Sequence, residues 1–236
     1  MKYYLDTEFI EGFHKPLFGK KRHFIDLISI GIVGEDGSQF YAISREYDYN
    51  KADKWVKDNV ILPLYLETVH GDNRNRFDVH NFHKHYGRSN KEIMCDIILY
   101  IYRDQYKHWM DSTSEFIERG IKYGWGEDLS HELYAYYADY DWVVFCSLFG
   151  RMIDLPKGFP MYCRDLKQML DEKIESLHIK LGGLGDKVTA LGSLDEHKER
   201  WKTHPDYPKQ ANEHNALDDA KWNKKLHEFI TQVLAK

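Results

Sequence analysis

Residues 3–9 read Tyr3-Tyr4-Leu5-Asp6-Thr7-Glu8-Phe9, an aromatic and apolar run that ends in two acids separated by one threonine. On a strand, residues two apart point to the same face, so this run predicts a β-strand that aims Asp6 and Glu8 into one place. Two bare carboxylates side by side repel, and one must take up a proton with a raised pKa unless a cation lies between them. Hard divalent ions favour oxygen ligands of this kind. Taken alone, Asp-x-Glu reads as an ordinary acidic strand end. The distant run His214-Asn215-Ala216-Leu217-Asp218-Asp219 changes that reading, because it adds an imidazole and two further acids.

Outward from the acidic strand, Asp26–Val33 and Gln39–Ser44 carry strand patterns joined by the turn Glu35-Asp36-Gly37-Ser38, which predicts an antiparallel meander. Glu11–His23 reads as a loop rich in Lys15, Lys20, Lys21 and Arg22, either solvated or guiding phosphate. A short helix is expected around Trp55 and Val56, and Gly71–Gly87 gives no clear pattern. Ser89-Asn90-Lys91-Glu92 is a capping box, and Ile93, Ile97, Ile98 and Ile101 follow at helical spacing. Leu133–Ala138 reads as a strand and Tyr140–Phe149 as a helix with Asp141 in its first turn, at the end of a strand where the sites of open sheets form. Met161-Tyr162-Cys163 reads as a short strand, Asp165–Asp171 as a helix, and Asn215–Leu234 as the last helix. Gly182, Gly183 and Gly185 lack the Gly-Lys-Ser/Thr ending and the preceding strand of a phosphate loop. The order of elements predicts an α/β fold: three antiparallel strands, then alternating helices and strands.

With 236 residues and 42% hydrophobic content, the chain is long enough to bury a full core as one domain spanning 1–236. Lys and Arg number 33 against 38 Asp and Glu, a net charge of -5, so any contact with nucleic acid has to be local. Cys95, Cys146 and Cys163 are widely spaced, which suits reduced thiols and neither a disulfide frame nor a zinc site. Asp6 and Glu8 within the first ten residues argue against a signal peptide, and no apolar run reaches membrane-spanning length. A soluble, cytoplasmic protein is expected.

Together these positions resemble the DEDD exonucleases of the ribonuclease H-like fold, in the subclass with a catalytic histidine that includes RNase T, oligoribonuclease and proofreading exonucleases. Asp6 and Glu8 match the first motif, Tyr140-Asp141 the second, and His214 with Asp219 the third, His-x-x-x-x-Asp. The stretches 136–142, 159–168 and 216–220 look like those of the RNase T-like single-domain bacterial exoribonucleases known from mycobacteria. Ala138 stands where many members carry Asn, and residues from about Arg103 to His131 read as an insertion, here taken to tune substrate range. Helical proximity to His214 favours Asp218, four residues on. The apolar stripe from Trp222 to Val233 centres about 40° from Asp219 and about 60° from Asp218, a small margin that agrees with the family spacing and selects Asp219.

The resemblance implies 3′-to-5′ hydrolysis of phosphodiester bonds with release of 5′-mononucleotides. Asp6, Glu8, Asp141 and Asp219 would hold two divalent ions, Mg²⁺ or Mn²⁺, about 3.5–4 Å apart, which supply the polarised water and the stabilisation of the leaving oxygen. His214 would accept the proton of the water, a role to which an imidazole is suited. The substrate implied is the 3′ end of single-stranded RNA, with DNA and a catalytically silent nucleic-acid-binding module as alternatives, and with homodimerisation left open. Phe9 is a candidate to stack on the terminal base, and Arg164 and Lys167 to meet phosphate. His80, His83 and His85 read as surface histidines ahead of a transition-metal site.

Overall fold

A computed structural model describes residues 1–14, 16, 18–71, 76–103, 131–181 and 192–234. The chain opens with β1 (Lys2–His14), β2 (Arg22–Gly34) and β3 (Gln39–Ile43), followed by helices α1 (Lys54–Val56), α2 (Leu62–Thr68), α3 (Val79–Tyr86) and α4 (Asn90–Ile101). After these come β4 (Glu132–Ala135), α5 (Ala138–Phe149), β5 (Arg164–Asp165), α6 (Leu166–Lys180), α7 (Leu194–Lys202) and α8 (Ala216–Glu228). A π-helical turn over Lys57–Ile61 joins α1 to α2, and another, Phe229–Val233, extends α8.

The five strands form one sheet in the order β3-β2-β1-β4-β5. The meander β1-β2-β3 is antiparallel, whereas β4 and β5 join it in parallel. The expected mixed sheet is therefore present. Residues Leu27–Gly34 of β2 are buried without interruption, the signature of a strand covered on both faces. On one face Tyr3 and Leu5 pack with Ile93, Ile97, Ile98, Val144 and Phe145 of α4 and α5. On the other, Tyr4 and Tyr134 pack with Leu166, Leu170, Trp222 and Leu226 of α6 and α8. A third cluster joins Ile10, Ile28 and Ile43 to Val60, Ile61, Tyr65 and Phe82.

Several boundaries depart from the sequence reading. The expected loop Glu11–His23 is mostly hairpin, because β1 and β2 stay paired out to His14 and Arg22. Its polar composition hid the strands, since residues exposed on both faces lose the alternation that marks a half-buried strand. The helix around Trp55 runs on to Thr68, and the unassigned stretch before Gly87 holds α3, started by the Asp78 carboxylate on the Asn81 amide. The strand placed at Met161-Tyr162-Cys163 lies one step later, at Arg164–Asp165, and Ala138 belongs to α5 and not to the strand before it. The capping box at Ser89 and Glu92 forms as expected. A second one, Ser193 with Glu196, starts α7, which sequence reading passed over. Residues 104–130, nearly all of the expected insertion, and the glycines 182–185 lie outside the described residues.

Two features of the sheet set where the acids of β1 and α8 meet. First, β4 pairs with β1 only over Lys2–Tyr4, so beyond Tyr4 that edge of β1 has no neighbouring strand among the described residues. Second, Gly31 on β2 sits directly opposite Asp6, and a methyl group on it would overlap the backbone of Ala216 and Leu217 at the start of α8. Only a residue without a Cβ lets the helix come this close. Gly31→Ala is therefore expected to lift the first turn of α8 and to lower stability by about 1–3 kcal/mol, the range for overpacking. Urea titration checks it; an unchanged midpoint would show that the contact yields freely.

Candidate active site

The open edge of β1 is served by side chains in place of a strand. The Leu5 carbonyl accepts from Asn223 Nδ2 at 2.9 Å, and the Thr7 amide donates to Asp141 Oδ1 at 2.8 Å. These two bonds bracket Asp6. Thr7 Oγ1 donates to the same Asp141 oxygen at 2.6 Å, so the carboxylate of α5 is held by two donors from one residue. The chain can deliver Asp141 there because Tyr137 turns it from β4 into α5 in the left-handed region, at φ 56°, and because Asp165 Oδ2 accepts from the Ala138 amide at 2.9 Å.

Asp219 arrives from the other side, in the first turn of α8. Asn215 caps that helix, its side chain accepting from the amides of Leu217 and Asp218, and Asn215 Nδ2 donates to Glu67 at 2.8 Å. Gln210 Nε2 donates to Asp219 Oδ1 at 2.6 Å and the His214 amide to Oδ2 at 2.9 Å. Asp218 is engaged elsewhere, with Lys221 at 2.8 Å and Asn212 Nδ2 at 2.9 Å, and these contacts, outweighing its partial burial, hold its pKa below the usual carboxylate range. The two adjacent acids therefore have different partners.

One oxygen from each of Asp6, Glu8 and Asp219 lies within 4.8 Å of the others, and these three are the metal-capable cluster among the described residues. They line a cavity of about 450 Å³ together with Asp141, His214 and Phe9. Among the described residues, no lysine or arginine lines it. Burial, reinforced by the charges of Asp141, Glu8 and Asp219, raises the Asp6 pKa well above its ordinary value. Burial and the same kind of repulsion push Glu8 up to about 8, and burial pushes Asp141 up to about 7 against the pull of the Thr7 donors. Asp219 is raised by burial as well, against the pull of Gln210 and the His214 amide. A cluster of acids with converging oxygens and no internal cation is a donor set that fits hard divalent ions.

His214 stands at φ 68° and its ring meets Trp55 edge-on at 4.9 Å. The non-glycine residues with positive φ among those described are Tyr137, Asn212 and His214, and all three lie in or beside this cavity. Strain concentrated at one place is characteristic of functional sites. Phe9 lies parallel to Tyr140, ring centroids 5.7 Å apart, on the wall of the cavity.

The weaker candidates Arg164, Lys167 and the histidines of α3 stand apart. Arg164 pairs with Glu132 at 3.2 Å and its guanidinium lies over Tyr134 and Tyr162, outside the cavity lining; Lys167 pairs with Asp171. His80, His83 and His85 lie on α3, where the His83 ring packs against Tyr47 at 4.4 Å, and they join no cluster of ligands among the described residues. Sequence reading missed Thr7 as a partner of Asp141, and also Gln210, Asn223 and Gly31. Thr7 was visible as the middle of the acidic triplet; nothing local marks the other three, whose importance comes from distant contacts.

No protein-family model matches the chain. Two curated relatives do: the 3′-5′ exoribonucleases of Mycobacterium tuberculosis strains CDC 1551 and H37Rv, each 31% identical over 175 residues, which is 73% of this chain and 76% of the relative. The identity and the share of both chains that it spans place this chain in the family of these mycobacterial 3′-5′ exoribonucleases.

Proposed function

We propose that the protein is a metal-dependent 3′-to-5′ exoribonuclease of ribonuclease H-like architecture that releases 5′-mononucleotides. The observation that carries this reading is the convergence of the Asp6, Glu8 and Asp219 oxygens within 4.8 Å at the edge of β1, in a cavity that Asp141 and His214 also line. The relatives' names support RNA as the substrate and the 3′ end as the point of attack. No described helix is long and apolar enough to cross a membrane.

In this reading Asp6, Glu8, Asp141 and Asp219 hold two Mg²⁺ or Mn²⁺ ions. Bound there, the ions supply Lewis-acid chemistry: a more acidic water and neutralisation of charge on the leaving 3′ oxygen. The protein's own residues do the rest. Thr7, Gln210 and the His214 amide fix the carboxylates so that little reorganisation is needed during the reaction. His214 takes the proton of the attacking water as general base. Phe9 and Tyr140 present parallel rings at the cavity wall, suited to orienting the terminal base by stacking.

The test uses end-labelled RNA and DNA oligomers of one sequence. Stepwise loss of mononucleotides from the 3′ end of RNA is expected with Mg²⁺ or Mn²⁺, with no turnover in chelator and a block by a 3′-phosphate. Turnover in chelator, or cleavage of a circular RNA, would overturn the reading, and faster loss of DNA would move the substrate to the alternative.

Roles separate in the same assay. His214→Ala is expected to lower turnover by about 10²–10⁴-fold while metal binding persists. Asp219→Asn is expected to lose both turnover and metal affinity, whereas Asp218→Asn, altering a carboxylate already engaged by Lys221 and Asn212, keeps most of each. The reverse ranking of the two aspartates, by turnover and metal titration on folded variants, would contradict the assignment.

A further inference from the structure

The hairpin that replaces the expected loop carries a row of side chains leading away from the cavity. Phe9, Glu11 and Phe13 are two apart on β1 and share a face, and His23 stands opposite Phe13 on β2. The row is continuous. Phe9 stacks on Tyr140 at the cavity wall, and the Tyr140 hydroxyl donates to Glu11 at 3.4 Å. Glu11 Oε1 meets His23 Nε2 at 2.8 Å, the His23 ring meets Phe13 edge-on at 5.4 Å, and Lys21 Nζ lies 4.1 Å from the centre of the Phe13 ring. From Phe9 to Phe13 this row spans about 13 Å at the strand rise of about 3.3 Å per residue.

This arm has the opposite charge character to the whole chain. Residues 14–23 contain four Lys or Arg and two His with no acid, in a protein of net charge -5. The acid in the row, Glu11, is engaged by His23 and Tyr140. Phe13 is 59% exposed and Phe18, near the tip, 89% exposed. Aromatic faces interleaved with cations are how proteins hold single-stranded nucleic acid without reading its sequence, one element stacking on bases and the other following the phosphates. A protein partner is the poorer match, since lysine is depleted from the cores of protein interfaces.

We infer that the distal β1–β2 hairpin is a binding track for single-stranded RNA, holding the nucleotides on the 5′ side of the one that occupies the cavity. The inference rests on the exonuclease reading for its direction. It makes the arm a determinant of substrate length: a dinucleotide places a single nucleotide at the cavity end of the track, short of Phe13 and Lys21, and a longer strand engages all of it.

The experiment compares kcat/KM for a dinucleotide and for a single-stranded RNA of about twelve nucleotides, within the usual span of such tracks, using the full chain. The variants are the pair Phe13→Ala with Lys21→Ala and the pair Lys20→Ala with Arg22→Ala, checked for unchanged melting. The ratio of the two kcat/KM values, long over short, is expected to fall about tenfold or more for the first pair, through a higher KM for the long strand. The second pair should also flatten the salt dependence of the long substrate. An unchanged ratio in both pairs overturns the track. If the unaltered chain cleaves neither substrate, the exonuclease reading fails, and fluorescence anisotropy of the labelled long RNA in chelator decides the track by itself. Weaker binding by the variants then supports it; equal or absent binding overturns it.

Discussion

Asp6, Glu8, Asp141 and Asp219 are gathered around one small cavity and repel one another, and the rest of this structure is arranged so that they stay together. Burial raises all four pKa values, with neighbouring carboxylates, Glu213 in the case of Asp219, adding to it, which means that their ionised forms are disfavoured where they stand. What holds them is a set of contacts that do not depend on charge neutralisation. Asp6 and Glu8 are fixed by strand geometry, Asp141 by the two donors of Thr7, and Asp219 by Gln210 and the His214 amide. Hydrogen bonds to a charged acceptor contribute about 1.5–3 kcal/mol each, enough to help hold a carboxylate in place.

The same arrangement explains why the site lies at the edge of β1. A strand paired on both sides along its whole length would leave no room for Asp141 to reach the Thr7 amide. Because β4 stops pairing at Tyr4, the backbone beyond is served by Asp141 and Asn223 instead. The close approach at Gly31 then sets the height of α8 above the sheet, opposite Asp6, and with it the position of Asp219. One glycine and one short strand therefore decide whether residues more than two hundred positions apart meet.

How much of this was legible depends on the range of the interaction. Asp6 and Glu8 could be read because strand periodicity is local, and the α4 start because a capping box spans four residues. Asp219 over Asp218 rested on a small phase margin and on family spacing; the structure separates them by partners, Gln210 and His214 on one side, Lys221 and Asn212 on the other. Gly31, Gln210 and Asn223 were invisible because each acts on a residue far along the chain. The hairpin arm was misread for a different reason: its strands are exposed, so cations and exposed rings replaced the apolar alternation that would have announced them. Arg164 looked free to meet phosphate because Glu132, its partner on the neighbouring strand β4, is far from it along the chain.

Whether this acidic cluster holds cations is tested most directly by thermal unfolding as a function of pH, with and without divalent metal. Glu8 at about 8 and Asp141 at about 7 lie far above the value of about 4 that carboxylates have in an unfolded chain. Groups raised in this way stabilise the fold at low pH, where both states are protonated, and lose that contribution as pH rises through the folded values. Without metal, the melting temperature is expected to fall between about pH 5 and about pH 8, and saturating Mg²⁺ or Mn²⁺ to raise it most at the upper end, where the anions are bare. The combined variant Asp6→Asn with Glu8→Gln should lose most of both effects. A melting temperature at pH 8 indifferent to either ion in the unaltered protein would contradict the account.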